Sequence, residues 1–254
     1  MKSYKKNGSK RTSRSQRREN NKNIKNSPMD FISVEDEYYE DQRQINIKPI
    51  YPIGKNQSLY QQSFKTNTIT FGVGCTGTGK SLLAGDYAAQ QLKDGEVDKI
   101  IFIRPLIEAG KELGALPGEL SDKTLPFIKP FLKILQQRLG LANVKKYMRA
   151  GIIQAEVLNF LRGETFENCV VILDEAENTT PKQMRMFLTR LGKNCKLIVN
   201  GDIVQQDIYG LSGLEDVLSR FKFSRVSSVG IIEFTSKDIV RHGLIKEIIL
   251  AYDS

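Results

Sequence analysis

The chain has 254 residues, 40% of them hydrophobic, with 20 glycines and a net charge of +9. That composition matches an ordinary globular protein, long enough for one large domain or two small ones with a buried core. No apolar run approaches the roughly 18 residues of a membrane span, and the basic N-terminus lacks the apolar stretch of a secretory signal.

The first 27 residues hold ten lysines and arginines against the single acid Glu19, so they carry a net +9 and the remainder balances. Having almost no apolar residues, this stretch cannot offset the entropy of ordering, and a disordered tail is expected. Such an arm either contacts phosphate backbones without sequence preference or is only a solubilising terminus. "VEDEYYEDQRQ" (34–44) is acidic and reads as a linker or a partner of the basic arm. The expected division is a tail over 1–44 and a folded domain over 45–254. Cys75, Cys169 and Cys195 show no metal-ligand spacing. They are expected to be reduced thiols in a cytoplasmic protein.

Beyond Ile45, β-rich apolar runs occur at 68–74, 99–105, 151–156, 168–175, 195–202 and 229–235. Between them lie helix-like stretches near 57–66, 80–93, 122–138, 156–161, 181–191, 213–220 and 238–251. Continuous apolar strands alternating with helices predict an α/β fold, a mostly parallel sheet with helices on both faces. Ligands of such sheets bind beyond the carboxyl ends of the strands. The long stretch 105–140 exceeds a plain crossover loop and is expected to form a lid or subunit contact followed by a helix. Phe127 and Phe131, four apart, read as a core face rather than a stacking platform.

The first strand runs into Gly74-Cys75-Thr76-Gly77-Thr78-Gly79-Lys80-Ser81, which fits the phosphate-loop pattern G-x-x-x-x-G-K-[ST]. The loop N–H groups, from Gly74 through Gly79, are expected to converge on an anion at the start of a helix. Lys80 is placed on the β- and γ-phosphates and Ser81 on Mg²⁺. "VVILDEAENTT" ends a strand in Asp174 and Glu175, the Walker B position. Asp174 is expected in the Mg²⁺ shell and Glu175 as the residue that polarises the attacking water. After the next strand, "IVNGDIVQQD" offers Asp202, Gln205 and Asp207 as sensors of the terminal phosphate, with Gln205 preferred because an amide can bond both phosphate and water. In "IRP", Arg104 is either a phosphate or nucleic-acid contact or a surface arginine.

Six stretches together resemble the PhoH-like ATPases, a family related to the RecA-like core of superfamily 1 helicases. They are "GKNQSLYQQSF", "FGVGCTGTGKSLLA", "IRPLIEAGKELGALPGEL", "LRGETFENCVVILDEAENTTPKQMRMFLTRLG", "VNGDIVQQDIYGLSGL" and "FTSKDIVRHGLIKEII". The resemblance spans about 200 residues of a P-loop NTPase. It implies one RecA-like domain with ATPase activity, linked in relatives to RNA handling and sometimes to a nuclease domain; no nuclease activity is expected of this chain. Glu164 stands where the family usually has a basic residue, and Glu177 where it usually has Gln. The resemblance implies that Gln57 reads adenine, the alternative being an exposed helix start. "TSKD" (235–238) does not meet a guanine-specific signature, so ATP is the expected nucleotide. Arg241 is expected to stabilise transferring phosphate charge, in cis or in trans. His242, the single histidine, is expected to be structural.

One RecA-like domain leaves its nucleotide cleft open on one side. A head-to-tail homo-oligomer, such as a hexamer, is therefore expected to complete it. Two functions stay in view. One is Mg-ATP hydrolysis coupled to RNA or single-stranded nucleic acid, with helicase action unassigned. The other is a slow nucleotide-dependent switch or assembly factor acting on a protein partner.

Overall fold

A computed structural model describes residues 50–105, 120–161, 163, 165–224, 226–241 and 243–252. The expectations for the tail over 1–44, the domain start at Ile45, the first part of the 105–140 stretch, Glu164, His242 and the Phe127 side chain lie outside the described residues. In chain order the elements are α1 (Lys55–Thr66), β1 (Ile69–Gly74), α2 (Lys80–Lys93), β2 (Lys99–Arg104), α3 (Leu120–Leu139), α4 (Leu141–Arg149) and β3 (Ile153–Val157). They continue with β4 (Cys169–Leu173), α5 (Pro181–Leu188), β5 (Cys195–Gly201), α6 (Gly213–Phe223), β6 (Val229–Phe234) and α7 (Gly243–Tyr252).

The six strands form one sheet in the order β3-β2-β4-β5-β1-β6, and every strand pairing is parallel. Side chains alternate across a strand with a period of two, so each central strand feeds two cores. Along β2, Ile100 and Phe102 enter one core while Ile101 and Ile103 enter the other; β4 repeats this with Val170 and Ile172 against Val171 and Leu173. The first core is closed by apolar residues of α1 to α4, the second by those of α5 and α6. This two-faced burial explains why the strands read as unbroken apolar runs. Phe131 stacks on Phe102 with ring centroids 4.2 Å apart, so it is a core residue as expected. Burying each such side chain contributes roughly 1.5–3 kcal/mol. Asp86 of α2 accepts two hydrogen bonds from Arg138 of α3, at 2.7 and 2.5 Å, which fixes the phosphate-loop helix against its neighbour.

Three local expectations differ from the structure. Helix α4 follows α3 directly, because Gly140 (φ 81°) breaks one helix and precedes the next. The stretch 156–161 is not a helix of its own: β3 runs on to Val157, paired with Arg104 of β2, and only one 3₁₀ turn follows at Leu158–Phe160. Helix formation near 238 is delayed to Gly243. The Asp238 side chain closes a capped turn on the Thr235 backbone N–H (2.8 Å), and Ile239 is extended. No described helix is long and apolar enough to cross a membrane. None of the three cysteines forms a disulfide, and the Cys169 thiol donates to Cys195 Sγ at 3.7 Å.

Candidate nucleotide site

The loop between β1 and α2 is shaped by a close approach. Gly74 has φ 111°, and a methyl group there would lie 2.0 Å from the Phe234 carbonyl oxygen of β6. Only glycine allows β1 and β6 to pair to their ends at this point. The turn that follows is tied by the Thr78 hydroxyl donating to the Cys75 carbonyl at 3.0 Å. Lys80 opens α2, so the helix presents its unsatisfied N–H groups and positive end at the loop. The Lys80 Nζ turns back and donates to the carbonyls of Gly74 and, at 2.7 Å, Cys75. Burial pulls the Lys80 pKa down, opposed by the charges of Asp202, Asp174 and Glu177.

Across the cleft, the Asp174 N–H donates to the Ile103 carbonyl at 3.0 Å, carrying the β2–β4 pairing one residue past the strand. That register aims its carboxylate at the loop: the Ser81 hydroxyl donates to Asp174 Oδ1 at 2.9 Å. The guanidinium of Arg104, at the end of β2, bridges Asp174 Oδ2 at 3.2 Å and Glu175 Oε1 at 2.9 Å. Glu175 sits in the left-handed region (φ 56°, ψ 44°), a conformation that costs a non-glycine residue about 1 kcal/mol or more. Its pKa is raised, chiefly by burial, with Asp174 and Asp207 adding to the effect and Arg104 opposing it.

Strand β5 lies between β1 and β4, so its end enters the cleft between loop and carboxylates. The Asp202 N–H donates to Glu177 Oε2 at 3.0 Å, and the Asp207 N–H donates to Asn178 Oδ1 at 2.8 Å. Glu177 is buried, which pushes its pKa up to about 7 despite the bond from the Asp202 N–H. Gln205, on the 3₁₀ turn capped by Asp202, lines the same cleft as Asp202 and Asp207.

Arg241 comes from the turn after β6. The Val240 N–H donates to the Gly77 carbonyl at 3.1 Å, and the Arg241 stem crosses Gly77 so closely that a methyl there would lie 2.9 Å from it. This arginine therefore reaches the loop of its own chain. The cleft so formed has a volume of about 500 Å³. It gathers Thr76 through Ser81, Asp174, Glu175, Gln205 and Arg241.

Gln57 is placed differently. It is buried behind the loop, with Oε1 accepting from the Ile53 N–H at 2.7 Å and Nε2 donating to the Thr78 carbonyl at 2.8 Å. Both ends of its amide are engaged within the chain, so it braces the loop, and reading a base would require exchanging those bonds. Arg104 meets carboxylates, whereas its sequence context offered only a phosphate, a nucleic acid or solvent.

Asn178 and the Tyr60–Asn200 pair were not singled out by sequence. The Tyr60 hydroxyl donates to Asn200 Oδ1, and its ring fills the space over Gly72 that a side chain would take. The polar run "ENTT" after a strand was the available signal for Asn178.

The residues present fit a nucleotide and a magnesium ion. The Ser81 hydroxyl and Asp174 carboxylate are adjacent hard oxygen donors of the kind Mg²⁺ prefers. The loop combines a helix N-terminus, glycines in positive-φ conformations and a buried ammonium, each of which favours phosphate.

A family model described as PhoH-like protein matches residues 49–253. The chain is similar to the PhoH-like protein of Bacillus subtilis (strain 168), at 43% identity over 199 residues, 78% of this chain and 62% of that one. It is similar to the PhoH-like protein of Mycobacterium tuberculosis (strain ATCC 25618 / H37Rv), at 42% over 207 residues, 81% of this chain and 58% of that one. It is likewise similar to the protein PhoH of Escherichia coli (strain K12), at 41% over 208 residues, 80% and 58% of the two chains. The chain thus spans about three fifths of the length of the curated relatives it matches. A solved Pif1 helicase from Candida albicans aligns with 74% of this chain and 41% of its own at 13% identity, with a TM-score of 0.34, too slight a likeness to carry an argument. The match over residues 49–253 makes this chain a member of the PhoH-like protein family.

Proposed function

We propose that the chain binds and hydrolyses Mg-ATP and couples hydrolysis to RNA or single-stranded nucleic acid. The observation that carries this reading is the Ser81–Asp174 hydrogen bond at 2.9 Å. It joins a phosphate loop on β1 to a strand-end carboxylate on β4, two strands away, at the place where a phosphate-bound cation would sit.

In this reading the loop N–H groups and Lys80 hold the phosphates, and Ser81 and Asp174 hold the ion. A bound Mg²⁺ neutralises phosphate charge and orients the terminal group. Glu175, with its raised pKa, accepts a proton from water at its carboxylate. Gln205 orients that water, and Arg241, lying across Gly77 of the same chain, offsets the charge that develops on the phosphate. Polynucleotide would be drawn by the basic residues between Lys2 and Lys25, giving a binding that weakens with salt. A homo-oligomer, such as a hexamer in the cytoplasm, would cover the open side of the cleft.

A second reading, a slow nucleotide-dependent switch acting on a protein partner, is favoured by one contact. Arg104 pairs with both carboxylates of the hydrolytic end, which restrains rapid turnover. Phosphate release measured with and without single-stranded RNA and DNA, at low and moderate salt, separates the two. Stimulation that fades with salt supports the first; ATP binding with no polynucleotide response supports the second.

A further inference from the structure

Arg104 is the last residue of β2 and pairs across the sheet with Val157, while its neighbour Ile103 pairs with Leu173 and accepts the Asp174 N–H. Sheet register therefore sets its guanidinium beside the two acids that follow β4. One terminal nitrogen serves both carboxylates, at 3.2 and 2.9 Å. The Nε of the same guanidinium is buried without a hydrogen-bond partner. A buried donor left unpaired marks a pose that is not the group's best satisfied one. On the acceptor side, Glu175 has a left-handed backbone and keeps its side chain 40% exposed, so it has room to turn away from the arginine. A carboxylate held by a guanidinium cannot turn toward another partner until that charge-assisted bond is broken.

We propose that Arg104 is a positioning residue that restrains Glu175 in a resting pose and releases it when a phosphate oxyanion takes the guanidinium. The inference rests on the ATPase reading above. Arginine forks bind phosphate as readily as carboxylate, so an arriving phosphate competes directly for this group. Two sources offer that chemistry: the terminal phosphate of the nucleotide, since Arg104 lines the same cleft as Ser81, and a backbone phosphate of a bound polynucleotide. In either case the two arrangements differ by the contacts Arg104 makes, which is what a ligand-driven shift requires.

The test is steady-state phosphate release by the full chain as wild type, Arg104→Ala and Arg104→Lys, with Mg-ATP, with and without single-stranded RNA. Removing the restraint is expected to raise kcat/KM without RNA by roughly threefold or more, with Lys, which keeps the charge without the fork, intermediate. If a polynucleotide phosphate is the natural trigger, the gain lies in kcat and RNA adds nothing further to Arg104→Ala. If the nucleotide phosphate is the trigger, the gain lies in KM, because saturating ATP has already freed the wild-type glutamate. An Arg104→Ala chain with kcat/KM equal to or below wild type overturns the proposal. Should that variant not fold, Arg104→Gln, which keeps a donor without the charge, carries the same expectation. A wild type that neither binds nor hydrolyses ATP overturns the ATPase reading itself, and this inference with it.

Discussion

The Ser81 hydroxyl and the Asp174 carboxylate, 93 positions apart in sequence, share a hydrogen bond of 2.9 Å. The contact exists because β5 separates β1 from β4 by a single strand and because the Asp174 N–H extends the β2–β4 ladder by one residue. In the proposed function this pair holds the metal. Asp174→Asn and Ser81→Ala are expected to weaken Mg²⁺-dependent nucleotide binding by about 10–100-fold. Titrating Mg²⁺ at fixed nucleotide checks this; an unchanged Mg²⁺ dependence in Asp174→Asn would place the metal elsewhere.

Gly74 is where the fold demands one residue type. A methyl at Gly74 would press on the Phe234 carbonyl at 2.0 Å, and φ 111° strains any side-chain-bearing residue. Gly74→Ala is therefore expected to lose on the order of 2–3 kcal/mol of stability, through strain and disturbed β1–β6 pairing. Urea denaturation of the two chains measures it.

Glu177 gives a pH signature. Its folded pKa, about 7, lies above the ordinary carboxyl value of 4.5, and burial is the main cause. The folded state thus binds the proton more tightly than the unfolded state. Stability is highest when the carboxyl is protonated, falls as pH rises from about 4.5 to 7, and is flat above. Glu177→Gln keeps an acceptor for the Asp202 N–H without a buried charge. It is expected to stabilise the chain by up to about 3 kcal/mol at pH 8 and by little near pH 4.5. Thermal melts of both chains across this range check the sign; a constant difference at all pH values would exclude Glu177 as the titrating group.

Arg241 lies across Gly77 of its own chain. Lys80→Ala is expected to weaken nucleotide binding about tenfold or more, by removing a buried charge-assisted donor. Arg241→Ala is expected to lower turnover. Because the arginine lies across the loop of its own chain, a mixture of the two variants is expected to remain as inactive as the separate proteins. Recovery of activity on mixing would show that Arg241 acts on a neighbouring subunit.

Much of the fold was legible because strands buried on both faces write unbroken apolar runs, as "VVIL" before Asp174 does. The glycine loop between β1 and α2 was legible because its spacing, G-x-x-x-x-G-K-[ST], is one that few other turns need. What failed to show was decided by contacts distant in sequence. Residues 156–161 read as helix, but β2 holds Val157 in a strand. Residues from 238 onward read as helix, but Asp238 turns back on the Thr235 N–H and the helix begins only at Gly243. Gln57 had an exposed helix start as its alternative to a base reader, yet it is buried, with its amide bonded to the Ile53 N–H and the Thr78 carbonyl. Arg104 read as a phosphate or nucleic-acid contact or as a surface arginine; only the sheet register reveals that two carboxylates face it.

The most direct test of the account compares wild type with Glu175→Gln for Mg-ATP binding and for phosphate release. Glu175→Gln is expected to bind Mg-ATP with affinity close to wild type and to release phosphate on the order of 100-fold more slowly or worse, as loss of a general base does. Hydrolysis at the wild-type rate by Glu175→Gln would contradict the assignment of the base, and failure of the wild type to bind Mg-ATP would contradict the site as a whole.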